Sequence, residues 1–187
     1  MCFARNLLLV LALNNLSLIA VNAAQARVLV DLARQKNLFL LEAVWTRFFP
    51  LSIQIRDLIS SGKLGHVNRV YADLSDVFDK KKLGLKHRVY NPDLAGGSLL
   101  DIGLYSITWV MQTIYHAQKG RKELPDITGS LVLVPETGVD ETATVVLSWK
   151  DGSISVCSHL ISSCWNRDVQ SLGSDGWEWT WDGWPLC

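Results

Sequence analysis

The sequence lacks an excess of charge of either sign, with 18 Lys and Arg against 18 Asp and Glu and a formal net charge of zero. Nucleic acids and anionic membrane surfaces attract proteins through a basic field, so neither is an expected partner. The sequence also lacks Cys-x-x-Cys and every other cysteine spacing of a metal site. Composition therefore excludes these partners and predicts no metal.

The four cysteines, Cys2, Cys157, Cys164 and Cys187, are few and irregularly spaced. The pattern predicts buried or free thiols, because unpaired cysteine is among the most buried residue types. A Cys157–Cys164 disulfide stays open as an alternative, but only in an oxidising compartment.

The chain begins with an apolar stretch, MCFARNLLLVLALNNLSLIAVNA, that is too short and too polar for a membrane span. Asn14, Asn15 and Ser17 interrupt it, and small residues follow at Ala23 and Ala24. One interpretation of residues 1–21 is a secretory signal or anchor. The other is a strand and loop of a cytosolic fold, or foreign sequence.

Residues 22–78 alternate between helix and strand patterns. A helix is predicted over 22–37, capped by Asn22, with an apolar stripe of Ala26, Leu29, Val30 and Ala33. LFLLEAVW, residues 38–45, has the length of a buried strand. A second helix is predicted over 49–65, begun by Pro50 and ended by Ser61-Gly62, and a strand over 66–78. This order is typical of α/β proteins with a parallel sheet.

The following residues predict a different organisation. The basic run Lys80 to Lys82 indicates a solvated turn in a polar loop, and a helix capped by Ser98 is expected over 98–118. Three strands should then pair antiparallel: DITGSLVLV, DETATVVLSW and GSISVCSHLIS, the last two joined by a hairpin turn at 150–152. The change predicts a second domain built on an open sheet.

The last 24 residues, 164–187, are rich in tryptophan. Trp177, Trp179 and Trp181 alternate with other residues, as on one face of a strand. Stacked indoles could form a sugar platform. The alternative is a poorly packed, divergent tail, because no nearby polar groups would orient a sugar.

The segment GGSLLDIGLYSI, residues 96–107, carries the strongest chemical signal. Asp101 and Tyr105 are four residues apart and therefore share a helix face. Either the tyrosine donates its hydroxyl to a buried aspartate, or both side chains point into a cleft as proton-transfer and hydrogen-bonding groups. Gly96 and Gly97 would let the backbone approach a ligand.

Together with LEAVWTRFFP, residues 41–50, this segment resembles the glucose–fructose oxidoreductase/inositol dehydrogenase (Gfo/Idh/MocA) family. Within it the branch of dimeric dihydrodiol dehydrogenases and NADP-dependent D-xylose 1-dehydrogenases is most similar, over residues 22–163. The resemblance implies an α/β fold: a Rossmann domain that binds NADP or NAD, then an α+β domain with an open, largely antiparallel sheet. It implies hydride transfer from a sugar or diol hydroxyl, homodimerisation through the sheet, and a cytoplasmic location, with secretion left open.

The resemblance also assigns roles. Tyr105 matches the catalytic acid/base, and Asp101 matches the acidic residue one turn before it. Trp45 and Arg47 match residues that line the substrate pocket beside the nicotinamide. Gly96 and Gly97 are weaker candidates for cofactor contact.

Two family features are missing. The family's lysine beside the tyrosine belongs where this chain has NNLSLIAV, and no Gly-x-Gly-x-x-Gly fingerprint for the cofactor's pyrophosphate occurs. Residues 22–45 then match the end of a Rossmann domain, and 46–163 the substrate and dimerisation domain. Two alternatives to an enzyme remain, an inactive interaction module and a secreted carbohydrate binder.

Overall fold

The computed structural model describes residues 19–162 and two further strands at 168–173 and 178–182. The chain divides into two compact units, Met1–Val44 and Trp45–Cys187. Cys2, Cys164, Cys187 and Trp177, and with them most of the N-terminal apolar stretch, lie outside the described residues.

The first unit contains one described helix, α1, Ala23–Gln35. Its start is the predicted one, because the Asn22 side chain accepts a hydrogen bond of 3.0 Å from the Gln25 N–H. The predicted strand over 38–45 is wrong: residues 38–44 form no regular structure, and Trp45 begins a 3-10 turn. An apolar run becomes a strand only where a neighbouring strand satisfies its backbone groups, and the described part of this unit offers none.

The second unit begins with the 3-10 turn Trp45–Phe48 and helix α2, Pro50–Ser60, which Pro50 starts as predicted. Strand β1, Val67–Ser75, follows. The basic run is not a simple turn: Lys80–Leu83 is a short helix, α3, capped by the Asp79 side chain, and Lys80 pairs with Glu136 at 2.8 Å. A second 3-10 turn, Pro92–Leu94, leads into the double glycine.

The next helix, called here the site helix, covers residues 99–115 in three consecutive segments. They are the π-helical turn Leu99–Gly103, the α-helix α4, Leu104–Val110, and a second π-helical turn, Met111–Tyr115. The segment Pro92–Tyr115 is long and apolar enough to cross a membrane by length and composition alone, yet Trp109, Val110 and Ile114 are buried in the core. The apolar character of the helix therefore has an explanation in packing.

The sheet has the strand order β2-β3-β4-β1-β5-β6. The remaining strands are β2, Asp126–Leu133; β3, Asp140–Ser148; β4, Ile154–Leu160; β5, Asp168–Gly173; and β6, Glu178–Asp182. The predicted meander is confirmed, because β2, β3 and β4 pair antiparallel. One pair is parallel: β1 lies beside β4, with Tyr71 opposite Val156.

Helix α2 and the site helix cover one face of this sheet. Period-two burial along β4 directs Ser155, Cys157 and His159 toward the site helix. The main core forms between α2, the site helix and strands β1, β3 and β4; its members include Ile55, Ile59, Val70, Val110, Leu147 and Trp149. The opposite face of the sheet carries no described helix, and Tyr71 on it is 42% exposed.

Two further predictions can be compared with these elements. Cys157 is a buried free thiol, so the alternative of a Cys157–Cys164 disulfide is wrong. Burial raises the pKa of Cys157 to about 12, which keeps this thiol protonated and unreactive. In the Trp-rich tail, the strand predicted around Trp179 and Trp181 is confirmed for the backbone of β6, which pairs with β5.

Candidate functional site

The site helix presents Asp101 and Tyr105 one turn apart, but the structure gives them different partners. The Asp101 carboxylate pairs with Arg88, whereas the Tyr105 hydroxyl accepts a hydrogen bond of 3.3 Å from the Trp45 indole N–H. Asp101 is 7% exposed and Tyr105 is half-buried. The alternative in which the tyrosine serves to satisfy the aspartate is therefore not the arrangement observed.

Trp45 stands beside Tyr105 because the 3-10 turn that carries it is fixed in place. Its ring lies edge-on to the Tyr105 ring at 6.5 Å and to the Phe49 ring at 5.0 Å. The Ser52 hydroxyl donates to the Thr46 carbonyl at 2.6 Å, which ties the turn to α2. Trp45 remains 44% exposed, so an indole face and a phenol are accessible together.

Arg47 lies on the same turn. The Arg56 guanidinium donates to the Arg47 carbonyl at 2.9 Å and to the buried Gln112 side chain at 2.8 Å, which fixes the turn to the site helix. Burial and then the positive charge of Arg47 lower the pKa of His116, eleven positions beyond Tyr105. The structure therefore brings together Trp45, Tyr105 and Asp101, and substrate contact by Arg47 stays a prediction.

The double glycine allows other parts of the chain to pack closely on the start of the site helix. Gly97 has φ +116°, and a Cβ there would lie 2.0 Å from Oδ1 of Asp140. The second oxygen of Asp140 accepts from the Ser98 hydroxyl at 2.7 Å and from the Leu99 N–H at 2.6 Å. The prediction that Ser98 caps the helix is therefore wrong, because Asp140 at the start of β3 accepts the free donors and Ser98 is itself a donor. Cofactor contact by Gly96 and Gly97 stays a prediction.

Gly96 fits equally closely against the preceding loop. A Cβ at this position would lie 2.6 Å from the Arg88 carbonyl oxygen and 2.7 Å from that of Val89. The Gly97 N–H donates to the Val89 carbonyl at 2.8 Å. The loop that carries Arg88 is therefore packed directly on the start of the site helix.

A buried histidine on strand β4 packs against the site helix. His159 on β4 is 1% exposed, its Nδ1 lies 3.0 Å from the Ser106 hydroxyl, and its ring would lie 2.8 Å from a Cβ at Gly103. The Ser106 hydroxyl donates to the Gly103 carbonyl at 3.0 Å, so Nδ1 is the donor to Ser106 and Nε2 carries the lone pair. Nε2 has no hydrogen-bond partner among the described residues. Burial lowers the pKa of His159 to about 4, so the ring is neutral at pH 7.

We expect the fold to lose stability as the pH decreases, because of His159. Its folded pKa, about 4, is below the unfolded value near 6.5, so the unfolded chain binds a proton between these values and the folded chain does not. Stability is then fully retained above pH 6.5 and falls as the pH decreases toward 4, by about 2 kcal/mol between pH 7 and pH 5. Urea unfolding at a series of pH values measures this slope.

The matched variants are His159→Gln, which should flatten the slope between pH 7 and pH 5, and His66→Gln, which should preserve it. His66 is a suitable control because its side chain is 50% exposed. An unchanged slope in His159→Gln would show that another group is responsible.

A cavity of about 500 Å³ lies away from Tyr105, at the far end of the site helix. Its floor is apolar, formed by residues such as Ile59, Ile114 and Trp149, and Lys119 and Arg121 lie at its rim. In the described part of the chain, no group of three His, Cys, Asp or Glu side chains could hold a metal ion.

Sequence reasoning missed three residues that support the site helix from outside it: Arg88 in the preceding loop, Asp140 on β3 and His159 on β4. Two features of the sequence indicated the contact between the site helix and β4. Gly103 interrupts a helix at a cost of about 1 kcal/mol, which indicates that another group packs closely on it. His159 occupies the inward period-two position after Cys157, where an apolar residue is expected.

Three comparisons with known proteins show which family and fold the chain resembles. Residues 52–177 match the family model described as the GFO/IDH/MocA C-terminal domain. The chain is 48% identical over 145 residues to D-xylose 1-dehydrogenase (NADP(+)) of Hypocrea jecorina, covering 74% of this chain and 37% of that enzyme. It is 33% identical over 158 residues to trans-1,2-dihydrobenzene-1,2-diol dehydrogenase of Danio rerio, covering 84% and 44%. The chain thus spans less than half the length of these curated relatives.

Among solved structures, the fold is similar to KijD10, a 3-ketoreductase from Actinomadura kijaniata in complex with NADP and TDP-benzene. The TM-score is 0.68 at 20% identity, covering 83% of this chain and 45% of that one. WlbA dehydrogenase from Bordetella pertussis, in complex with NADH and UDP-GlcNAcA, gives a TM-score of 0.69 at 11% identity, with 83% and 48% covered. At these identities the likeness shows the fold.

Proposed function

Because the chain belongs to the GFO/IDH/MocA family, we propose that it forms the substrate half of an NADP-dependent oxidoreductase that oxidises a sugar or trans-diol hydroxyl. The relatives matched over most of the chain are dehydrogenases of these two substrate classes. The observation that carries the proposal is the position of the Tyr105 hydroxyl, held at a half-exposed face by the Trp45 N–H at 3.3 Å.

The nicotinamide, when bound, supplies the hydride acceptor. The residues of this chain handle the proton: in its phenolate form the Tyr105 oxygen takes the hydroxyl proton of the substrate in oxidation and becomes the phenol, which returns that proton in reduction. Because the Trp45 N–H fills one acceptor position of that oxygen, the remaining position faces away from the indole. A ring packed on the exposed indole would bring its hydroxyl to the phenol.

Trp45 and Tyr105 offer an aromatic and a hydroxyl group that suit a substrate ring beside the nicotinamide. The pyrophosphate needs a Gly-rich turn at a helix N-terminus, and the sequence contains no Gly-x-Gly-x-x-Gly. We propose that a dinucleotide-binding domain supplies that turn.

The test compares the 187-residue chain alone with the same chain fused behind the part of the Hypocrea jecorina enzyme that precedes the matched stretch. The fusion should form reduced nicotinamide from NADP with D-xylose or a trans-dihydrodiol, and the chain alone should be much slower. The upstream part on its own is the control. A fusion that folds and binds NADP but oxidises neither substrate would refute the proposal.

We also propose that the open face of the sheet is the surface of a homodimer. Tyr71 on β1 and Val132 on β2 project from the face that the helices leave uncovered, and they are 42% and 57% exposed. Exposed apolar side chains in a contiguous sheet are typical of association surfaces. This surface is also what an interaction module without catalytic activity would use.

The double variant Tyr71→Asp/Val132→Asp should convert a dimer into a monomer in size-exclusion chromatography with light scattering. Charge repulsion and desolvation in the centre of an interface are the physical reason. Leu124→Asp is the matched control, because Leu124 is 76% exposed and lies outside the strands. A wild-type chain that is monomeric at all concentrations would contradict the proposal.

A further inference from the structure

Arg88 covers a carboxylate that the fold buries. The Asp101 side chain is 6% exposed and pairs through Oδ1 with Nη1 of Arg88, whose side chain is 41% exposed. A buried carboxylate without a cation is strongly unfavourable, which accounts for the pair. With 6% of its side chain exposed, Asp101 has almost no surface left with which to contact a substrate directly.

The remaining donors of Arg88 are available. A guanidinium carries five N–H groups in a rigid fork. One is directed at Asp101, and the described residues provide no other hydrogen-bond acceptor for the side chain. Since the group is 41% exposed, its free N–H groups reach solvent.

Arg88 is also held at both ends. Its carbonyl packs on Gly96, and the next residue, Val89, is fully buried and accepts the Gly97 N–H. At the other end the guanidinium is anchored by Asp101, one turn before Tyr105. An arginine fixed in this way loses little entropy when it binds a ligand.

We infer that Arg88 is the substrate-contacting group of this site and that Asp101 acts through it as a positioning residue. The inference rests on the proposed function and specifies its substrate class. Arg88 is anchored on Asp101, one turn before Tyr105, and the Tyr105 hydroxyl is bonded to the Trp45 indole. The free guanidinium donors suit a polyhydroxylated ring, whose hydroxyl oxygens accept hydrogen bonds while its apolar face packs on Trp45. An aromatic diol uses the indole and has fewer hydroxyl oxygens for Arg88. The preferred substrate is therefore a sugar.

The decisive variant is Arg88→Lys in the fusion described above. Lysine preserves the ion pair with Asp101 but removes the planar fork. If Arg88 only neutralises Asp101, the variant should behave as wild type. If Arg88 binds substrate, KM for D-xylose should rise about tenfold with kcat within about twofold, and the kinetics with a trans-dihydrodiol should change much less. Arg34→Lys is the matched control, because Arg34 also pairs with an aspartate, Asp31, and its side chain is 78% exposed.

A second readout does not depend on turnover. In the complete 187-residue chain labelled with ¹⁵N, saturating D-xylose should shift the side-chain Nε–H resonance of Arg88 and not that of Arg34. Sugar binding without oxidation by the fusion would refute the proposed function and leave this inference standing. Normal D-xylose kinetics in Arg88→Lys, or no shift of the Arg88 resonance, would overturn the inference.

Discussion

Replacing Tyr105 by phenylalanine should lower kcat of the fused protein about 10²- to 10⁴-fold, because the variant removes the proton-transfer group and little else. Tyr105 is half-buried, and the described hydrogen bond of its hydroxyl comes from Trp45, itself 44% exposed. Phenylalanine retains the ring that packs edge-on to the indole. Steady-state kinetics with D-xylose and NADP, together with a thermal unfolding curve, measure both properties.

The matched control is Tyr115→Phe. Tyr115 is a half-buried tyrosine at the far end of the same helix, and its ring lies 5.2 Å from that of His116. This variant should preserve kcat. Equal activity of Tyr105→Phe and wild type would exclude Tyr105 as the acid/base and remove the observation on which the proposed function depends.

Replacing Gly97 by alanine should destabilise the second unit by about 2–4 kcal/mol, the sum of backbone strain of about 1–3 kcal/mol and loss of a helix cap of about 1 kcal/mol. The residue has φ +116°, which disfavours any side chain, and its Cβ would displace the Asp140 carboxylate from the helix start. Chemical denaturation gives the change in free energy of unfolding. Activity of the fusion should fall with it, because the cap sets the start of the helix that carries Tyr105.

Two further variants separate strain from displacement. Gly120→Ala tests strain alone, because Gly120 has φ +76° and a Cβ there would meet nothing within 4 Å. It should lose about 1 kcal/mol. Gly97→Ala combined with Asp140→Ala should cost less than the sum of the single variants, since both remove the same cap. Strict additivity would show that the cap is unimportant.

Local signals in the sequence predicted local structure well. The Asn22 cap, Pro50 at the start of α2 and the three strands of the meander all depend on neighbours close in the chain, and all are confirmed. The predicted strand over 38–45 failed because strand formation depends on a partner that a propensity pattern does not reveal. The parallel pairing of β1 with β4 was likewise hidden, since period two shows which residues face inward but not which strand lies alongside.

In the site, too, the residues in local motifs were predicted and the contacts from other segments were not. Tyr105, Asp101 and Trp45 belong to short motifs, and the structure places all three at one end of the site helix. Their supporting groups are contributed from other segments: Arg88 from the preceding loop, Asp140 and His159 from two strands of the sheet. Such contacts have no periodicity, so a single sequence reveals them only through exceptions such as a glycine inside a helix.

The parallel pair in the middle of the sheet has a consequence for the order of folding. Arg69 lies opposite Ile154, so a large closed loop separates the two strands in the chain. Closing that loop is entropically costly, whereas the β2–β3–β4 meander closes through short turns. The meander should therefore assemble early and serve as a template for β1. During synthesis, β1 with its exposed Tyr71 cannot pair with β4 until β4 has left the ribosome.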